Sequence, residues 1–266
     1  EGAAWKTEYD VVSTLRKLGH DVQPLGVKSD LEVIRAAVED WKPHIAFNLL
    51  EEFDGRAVYD QNVVSYLELM RIPYTGCNPR GLMLARDKAL AKQVMSYHRI
   101  PYPEFMVVPL HRMVRRPKYL PFPLIVKSIS EEASLGISQA SIVDDDEKLR
   151  ERVAFIHDNV GTGALIERYI EGRELYVGVM GNAHLQVFPV WELVMDKMPD
   201  EARRIATERV KWSRKYQDKY GICSCEARNL PDGVVDHIQL LAKRVYRALG
   251  LSGYARIDMR MDKDGN

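Results

Sequence analysis

Near the end of the chain, Ala255-Arg256-Ile257-Asp258-Met259-Arg260-Met261 alternates strictly between apolar and charged side chains. No other run limits the fold as tightly. A period of two fits a strand that shows one face to a core and the other to polar surroundings. Arg256, Asp258 and Arg260 therefore share one face, and Ala255, Ile257, Met259 and Met261 the other. Asp262-Lys263-Asp264-Gly265-Asn266 follows with turn chemistry, and a strand of this regularity is expected to have a neighbour across such a turn. The sequence contains no such neighbour, so it reads as a fragment.

The first third has a different rhythm. Val11, Val12, Leu15 and Leu18 before Gly19 predict an amphipathic helix with a glycine stop. Residues 21–27 predict a strand, 31–41 a helix, 44–50 a buried strand, 61–70 a helix, and 72–76 a short strand ending in a turn. Alternation of this kind predicts a parallel α/β subdomain over residues 1–82. Such units usually begin with a strand, so a first strand is expected to be missing.

A second subdomain is predicted over 83–168. Asp87 caps a helix carrying Leu90, Val94 and Tyr97 on one face, which Ile100-Pro101-Tyr102-Pro103 ends. Strands are predicted at 105–108, 123–127 and 139–143, with a mobile polar loop at 128–138. Asp144 and Glu147 form a predicted capping box for a helix burying Leu149, Val153, Ile156 and Val160, and 164–167 is a further strand. The third subdomain, 169–266, is predicted to open with a hairpin of 174–180 and 184–191 about Gly181-Asn182. Residues 192–230 lack clear periodicity and read as a long irregular cover. A helix with Val234, Ile238, Leu241, Val245 and Leu249 inward precedes the final strand.

Composition narrows the class of partner. Lys plus Arg and Asp plus Glu both total 38, so no net field draws the chain to nucleic acid or acidic membranes, and a small-molecule partner is expected. The basic loop at His111, Arg112, Arg115, Arg116 and Lys118 reads as solvated surface. No apolar stretch approaches the roughly 20 residues of a membrane helix, and the opening residues lack signal-peptide features, so the expected compartment is the cytoplasm. Cys77, Cys223 and Cys225 are an odd set, read as free thiols, and the lone C-x-C has no second pair for zinc.

Three features carry candidate chemistry. Lys127 ends an apolar strand just before Ser134-Leu135-Gly136, where an ammonium can sit beside a phosphate while loop N–H groups and the Ser134 hydroxyl close over it. Glu167-Arg168-Tyr169-Ile170 lies between a strand and the next subdomain, where free backbone groups can read an adenine edge, and Glu174 follows at a distance suited to ribose hydroxyls. Arg256 and Asp258 offer a cation for a developing oxyanion and a hard oxygen for Mg2+. Taken singly, these are a solvated lysine, an acidic linker and a surface ion pair. Their fixed order is what carries weight.

In that order the chain resembles the ATP-grasp ligases, and D-alanine-D-alanine ligase among them. The resemblance rests on Ile72-Pro73-Tyr74-Thr75-Gly76, Asp87-Lys88, Phe122-Pro123-Leu124-Ile125-Val126-Lys127, Ser134-Leu135-Gly136-Ile137, Leu165-Ile166-Glu167, Gly172-Arg173-Glu174 and Gly253-Tyr254-Ala255-Arg256-Ile257-Asp258. It implies an α/β chain of ATP-grasp architecture, in which an N-terminal parallel α/β subdomain precedes two α+β subdomains that clamp a nucleotide. It also implies ATP and Mg2+, with Mn2+ as an alternative ion, acting on a carboxylate and an amine from amino acids or peptides through an acyl phosphate. A homodimer is compatible with it.

Residue by residue, the resemblance makes Lys88 and Lys127 the phosphate lysines, and Ser134 and Gly136 part of the covering loop. Glu167, Arg168, Tyr169 and Ile170 become the adenine hinge and Glu174 the ribose ligand. Arg256 would steady the transferred phosphoryl group and the tetrahedral intermediate, and Asp258 would hold the metal. Lys215, or Lys211 in its place, would be a further γ-phosphate contact.

Departures from the pattern bear on substrate. Glu131-Glu132-Ala133-Ser134 stands where the ligases usually read Glu-Gly-Ser-Ser, and Asn48-Leu49-Leu50-Glu51-Glu52-Phe53-Asp54-Gly55 replaces a His-Gly substrate segment. Arg260 stands where an apolar side chain commonly packs under adenine, and the Glu-x-Asn metal motif would fall beyond Asn266. The altered loop motivates a competing expectation, a non-catalytic ATP-binding sensor or scaffold module.

Overall fold

The structure, a computed structural model, describes residues 5–130, 136–199 and 201–266. The chain divides into two compact units, Glu1–Pro79 and Arg80–Asn266.

The first unit holds α1 (Lys6–Lys17), α2 (Glu32–Trp41) and α3 (Asp60–Leu69). Ile34 from α2 and Val63 and Leu67 from α3 are buried together, with Val27, Val38, Ala46, Leu50 and Ile72 packed against them. The parallel sheet predicted here is reduced, among the described residues, to one parallel bridge between Ala46 and Tyr74. Ala46 N–H donates to the Pro73 carbonyl at 2.8 Å, and Thr75 N–H donates to the Ala46 carbonyl at 3.0 Å. Residues 21–27 form no ladder. Pro24 offers no N–H and Gly26 no side chain to pack, which weakens that run as a strand.

α4 (Pro79–Arg86) and α5 (Lys88–Tyr97) lead into the second unit. The Asp87 carboxylate accepts the Leu90 N–H at 2.8 Å, as its capping position predicts. The sequence reading missed α4, although proline in its first position is a usual start. Next come β1 (Phe105–Val108), β2 (Leu124–Ser128), β3 (Ile142–Val143), α6 (Asp146–Phe155) and β4 (Ala164–Arg168). The strands form an antiparallel sheet in the order β1-β4-β2-β3. Leu124, Val126, Ala164 and Ile166 share one face and are buried against Leu149, Val153 and Ile156. Each of these leucine, isoleucine and valine side chains contributes about 1.5–3 kcal/mol on burial. Alternation assigns Ile125, Lys127, Leu165 and Glu167 to the opposite face. The cap of α6 is Asp145, one residue later than predicted, and it accepts the Lys148 N–H at 2.8 Å.

The second sheet contains β5 (Gly172–Met180), β6 (Gln186–Met195), β7 (Ile222–Glu226) and β8 (Tyr254–Asp262), antiparallel in the order β7-β6-β5-β8. α9 (Val234–Ala248) buries Ile238, Ala242 and Tyr246 against Leu175, Val177, Val179 and Val190. Residues 192–230, expected to be irregular, instead hold the end of β6, α7 (Glu208–Trp212), α8 (Arg214–Tyr220) and β7. Helices of five and seven residues are too short to display a periodic stripe. Their caps were the readable signal: Thr207 Oγ1 accepts from Val210 N–H and Ser213 Oγ from Tyr216 N–H. At the first residue of β5, Gly172 has φ +152°, and a Cβ there would lie 2.0 Å from the Met261 carbonyl oxygen. Only glycine lets β5 meet β8 at this point. Among the described residues, no helix is long and apolar enough to cross a membrane.

Candidate functional site

Glu167 on β4 is 3% exposed and is the centre of a three-residue ion cluster. Its Oε2 lies 2.6 Å from Lys127 Nζ on β2, and its Oε1 lies 2.9 Å from Lys92 Nζ on α5. Antiparallel pairing sets Lys127 opposite Leu165, which makes Glu167 its diagonal neighbour on one face. Burial alone would raise the Glu167 carboxyl, but the ammonium groups of Lys127 and Lys92 outweigh it and hold the pKa at about 2. Lys88 is half-buried in the first turn of α5. One helical turn separates it from Lys92, so both project from the same face. The sequence reading selected Lys88 and Lys127 and missed Lys92. The four-residue repeat of lysine after the capping Asp87 was the available sign.

The chain leaves β4 through Tyr169, Ile170 and Glu171 and enters β5 at Gly172. Arg168 N–H donates to the Glu104 carbonyl at 2.9 Å, and Tyr169 N–H to the Pro123 carbonyl at 3.0 Å. Arg168 is exposed, with its guanidinium 3.7 Å from the Glu104 carboxylate, whereas Tyr169 is buried. The Ile170 carbonyl accepts from Arg260 Nε at 3.1 Å.

Beyond this connector a second polar cluster runs along one face of β5 and β8. The register places Glu174 opposite Arg260, Tyr176 opposite Asp258 and Gly178 opposite Arg256. Glu174 accepts from the Tyr176 hydroxyl at 2.7 Å on Oε1 and from Arg260 Nη1 at 3.2 Å on Oε2. Burial, followed by the Glu174 carboxylate, pushes the Tyr176 phenol well above its ordinary value. The Arg256 guanidinium stands 4.6 Å from the Tyr176 ring centre. Its Nε and Nη2 meet the two oxygens of Asp258 at 2.7 and 3.0 Å, and these hydrogen bonds raise the arginine's pKa. Asp258, expected as a metal ligand, is thus bound by the arginine expected beside it. No group of three or more His, Cys, Asp or Glu side chains suited to a metal occurs among the described residues.

Other expected residues lie at varying remove. Gly136 has φ +70°, and its carbonyl accepts from the Arg152 guanidinium. Ser134 lies outside the described residues, as do the loop departures at Glu131, Glu132 and Ala133. Lys215 is exposed on α8 and Lys211 half-buried on α7, and among the described residues no hydrogen bond or ion pair joins either side chain to the two clusters. A contributor absent from the sequence reading is the segment around Arg203. Its backbone exchanges two hydrogen bonds, each 2.9 Å, with the Gln139 side chain, and its guanidinium is 3.1 Å from Asp144. Two residues on, Ile205 is buried with Ile125, Ile142 and Tyr169. The site residues thus fall into a lysine cluster built from β2 and α5, a short connector, and an acidic, arginine-bearing face of β5 and β8.

The family described as D-ala D-ala ligase C-terminus matches residues 94–266. A D-alanine–D-alanine ligase of Desulforudis audaxviator is 30% identical over 94% of this chain and 76% of its own length. That of Bordetella petrii is 34% identical over 79% of this chain and 60% of its own. A protein of Sinorhizobium fredii named uncharacterized protein y4sG is 27% identical over 96% of this chain and 74% of its own. Among solved structures, D-alanine–D-alanine ligase of Bacillus anthracis complexed with ATP is similar in fold, with a TM-score of 0.75 at 21% identity, covering 100% of this chain and 80% of that one.

Proposed function

This chain belongs to the D-alanine–D-alanine ligase family of ATP-dependent carbon–nitrogen ligases, and on that premise we propose that it joins the carboxylate of one amino acid or peptide to the amine of another. The γ-phosphoryl group of ATP passes to a carboxylate oxygen and ADP leaves. The amine nitrogen then attacks the acyl carbon, a C–N bond forms, the C–O bond to phosphate breaks, and the amine gives up a proton. The observation that carries the reading is the Glu167 cluster: two ammonium groups bound to one buried carboxylate, two residues upstream of a connector whose backbone can read a base.

In this reading Lys88, Lys92 and Lys127 neutralise phosphate oxygens, and the loop containing Ser134 and Gly136 covers them. Backbone groups from Glu167 to Ile170 other than those bonded to Glu104, Pro123 and Arg260 read the adenine edge, and Glu174 accepts from the ribose. Arg256 stabilises charge on the tetrahedral centre, and Lys215 supplies a further phosphate contact. Asp258 provides one hard oxygen. This suits Mg2+, which is commonly held by one or two carboxylates together with substrate phosphates and keeps several waters. When bound, the ion supplies charge neutralisation.

The test is ADP release by the chain with ATP, magnesium and panels of amino acids and dipeptides. Acceptor-dependent ADP is expected, together with ATP-dependent thermal stabilisation that Lys127→Ala abolishes. Stabilisation by ATP with no acceptor-dependent ADP would replace this reading with a binding module. No stabilisation by ATP would remove the nucleotide site altogether.

A further inference from the structure

Arg260 uses every N–H it has inside the protein. Nε donates to the Ile170 carbonyl at 3.1 Å. Nη1 donates to Glu174 Oε2 at 3.2 Å and to the Arg204 carbonyl at 2.9 Å. Nη2 donates to the Tyr169 hydroxyl at 3.3 Å and to the Gly172 carbonyl at 3.2 Å. A guanidinium carries five N–H donors, so the set is complete. The head is largely covered, and its Cζ lies 5.3 Å from the Tyr169 ring centre.

The choice of acceptors is informative. Pairing across β5 and β8 needs only Glu174, yet three of the five bonds go to the connector and its junction with β5, at Tyr169, Ile170 and Gly172. Both Glu174 oxygens are thereby held, one by Arg260 and one by the Tyr176 hydroxyl. Each carboxylate oxygen still has a lone pair for a further donor. A carboxylate already fixed in place binds a hydroxyl at lower entropic cost than a free one.

We propose that Arg260 is a positioning residue that sets the sugar selectivity of the nucleotide site, by clamping Glu174 against residues 169–172 so that ribose hydroxyls are favoured over their absence. The proposal rests on the ATP reading above. Lysine cannot substitute for Arg260, because a single ammonium with three donors cannot reach five acceptors arranged about a plane.

The experiment measures dissociation constants of Mg-ATP and Mg-2′,3′-dideoxyATP by calorimetry for the wild-type chain, Arg260→Met, Arg260→Lys and Glu174→Gln. Wild type is expected to prefer ATP by roughly tenfold or more, the value of a hydrogen bond to a charged group. All three variants should bring the ratio to within about twofold of one, a change that a purely structural residue would not produce. If Arg260→Met fails to fold, Arg260→Lys decides the ratio. A wild-type ratio near one, or one that persists in Arg260→Lys, overturns the inference and leaves the ATP reading standing. Failure of the wild-type chain to bind either nucleotide overturns both.

Discussion

Replacing Glu167 with glutamine tests the centre of the site with a magnitude that can be worked out beforehand. The substitution keeps shape but leaves two ammonium groups facing each other with no carboxylate between them. Breaking a buried ion pair by removing one partner costs about 3–5 kcal/mol. Lys127 is 31% and Lys92 14% exposed at the side chain, so both can partly rehydrate and the lower end applies. An independent route gives a similar figure. A carboxyl whose pKa falls from 4.5 to about 2 on folding stabilises the folded state by about 3 kcal/mol at neutral pH. That contribution is complete above the unfolded value and is lost as pH falls through the folded one. Glutamine does not titrate, so the gap between wild type and Glu167→Gln should be about 3 kcal/mol at pH 7 and less than half of that by about pH 3. Urea unfolding followed by far-UV circular dichroism at a series of pH values measures both numbers. A gap below about 1 kcal/mol at pH 7, or one that stays constant down to pH 3, would refute the reasoning.

Further substitutions probe other levels of the structure. Gly172→Ala drives a Cβ toward the Met261 carbonyl oxygen at a backbone angle unfavourable to other residues, and should lower stability by at least about 2 kcal/mol in thermal unfolding. Arg173 meets Glu192 with two bonds of 2.8 and 2.6 Å, so Arg173→Met should cost about 2 kcal/mol in urea unfolding while leaving the ATP dissociation constant unchanged. Arg256→Met should lower kcat about 100-fold with ATP affinity held within a few-fold, since its proposed partner is charge that develops during reaction.

Local order was largely readable where periodicity is strong. The strict alternation of β8, the apolar run of β2 and the Asp87 cap of α5 all appear as their residues require, because each depends on neighbours close in sequence. What escaped the sequence depends on pairing or on short length. Residues 21–27 look apolar enough for a strand, but a ladder needs a partner as well as propensity, and Pro24 removes one of its donors. α7 and α8 complete one to two turns each and leave no stripe, although Thr207 and Ser213 marked their starts. The same distinction holds at the site. Lys127 and Glu167 were visible as strand-end charges, but their direct bond, and the arrival of Lys92 from α5, follow from register and helix placement. The departure at Arg260 was legible as an oddity. Its five acceptors, four of them more than 80 residues away, were not.

The brevity of the connector between β4 and β5 sets a lever ratio. Glu174 lies two residues past Gly172, about 7 Å along the strand, whereas Arg256, opposite Gly178, is about 20 Å along it. A rotation of one sheet against the other by about 10° at this pivot would carry Glu174 little more than about 1 Å but Arg256 about 3.5 Å. The same turn would leave the pivot end almost still while it shifts the far end by about one van der Waals contact distance.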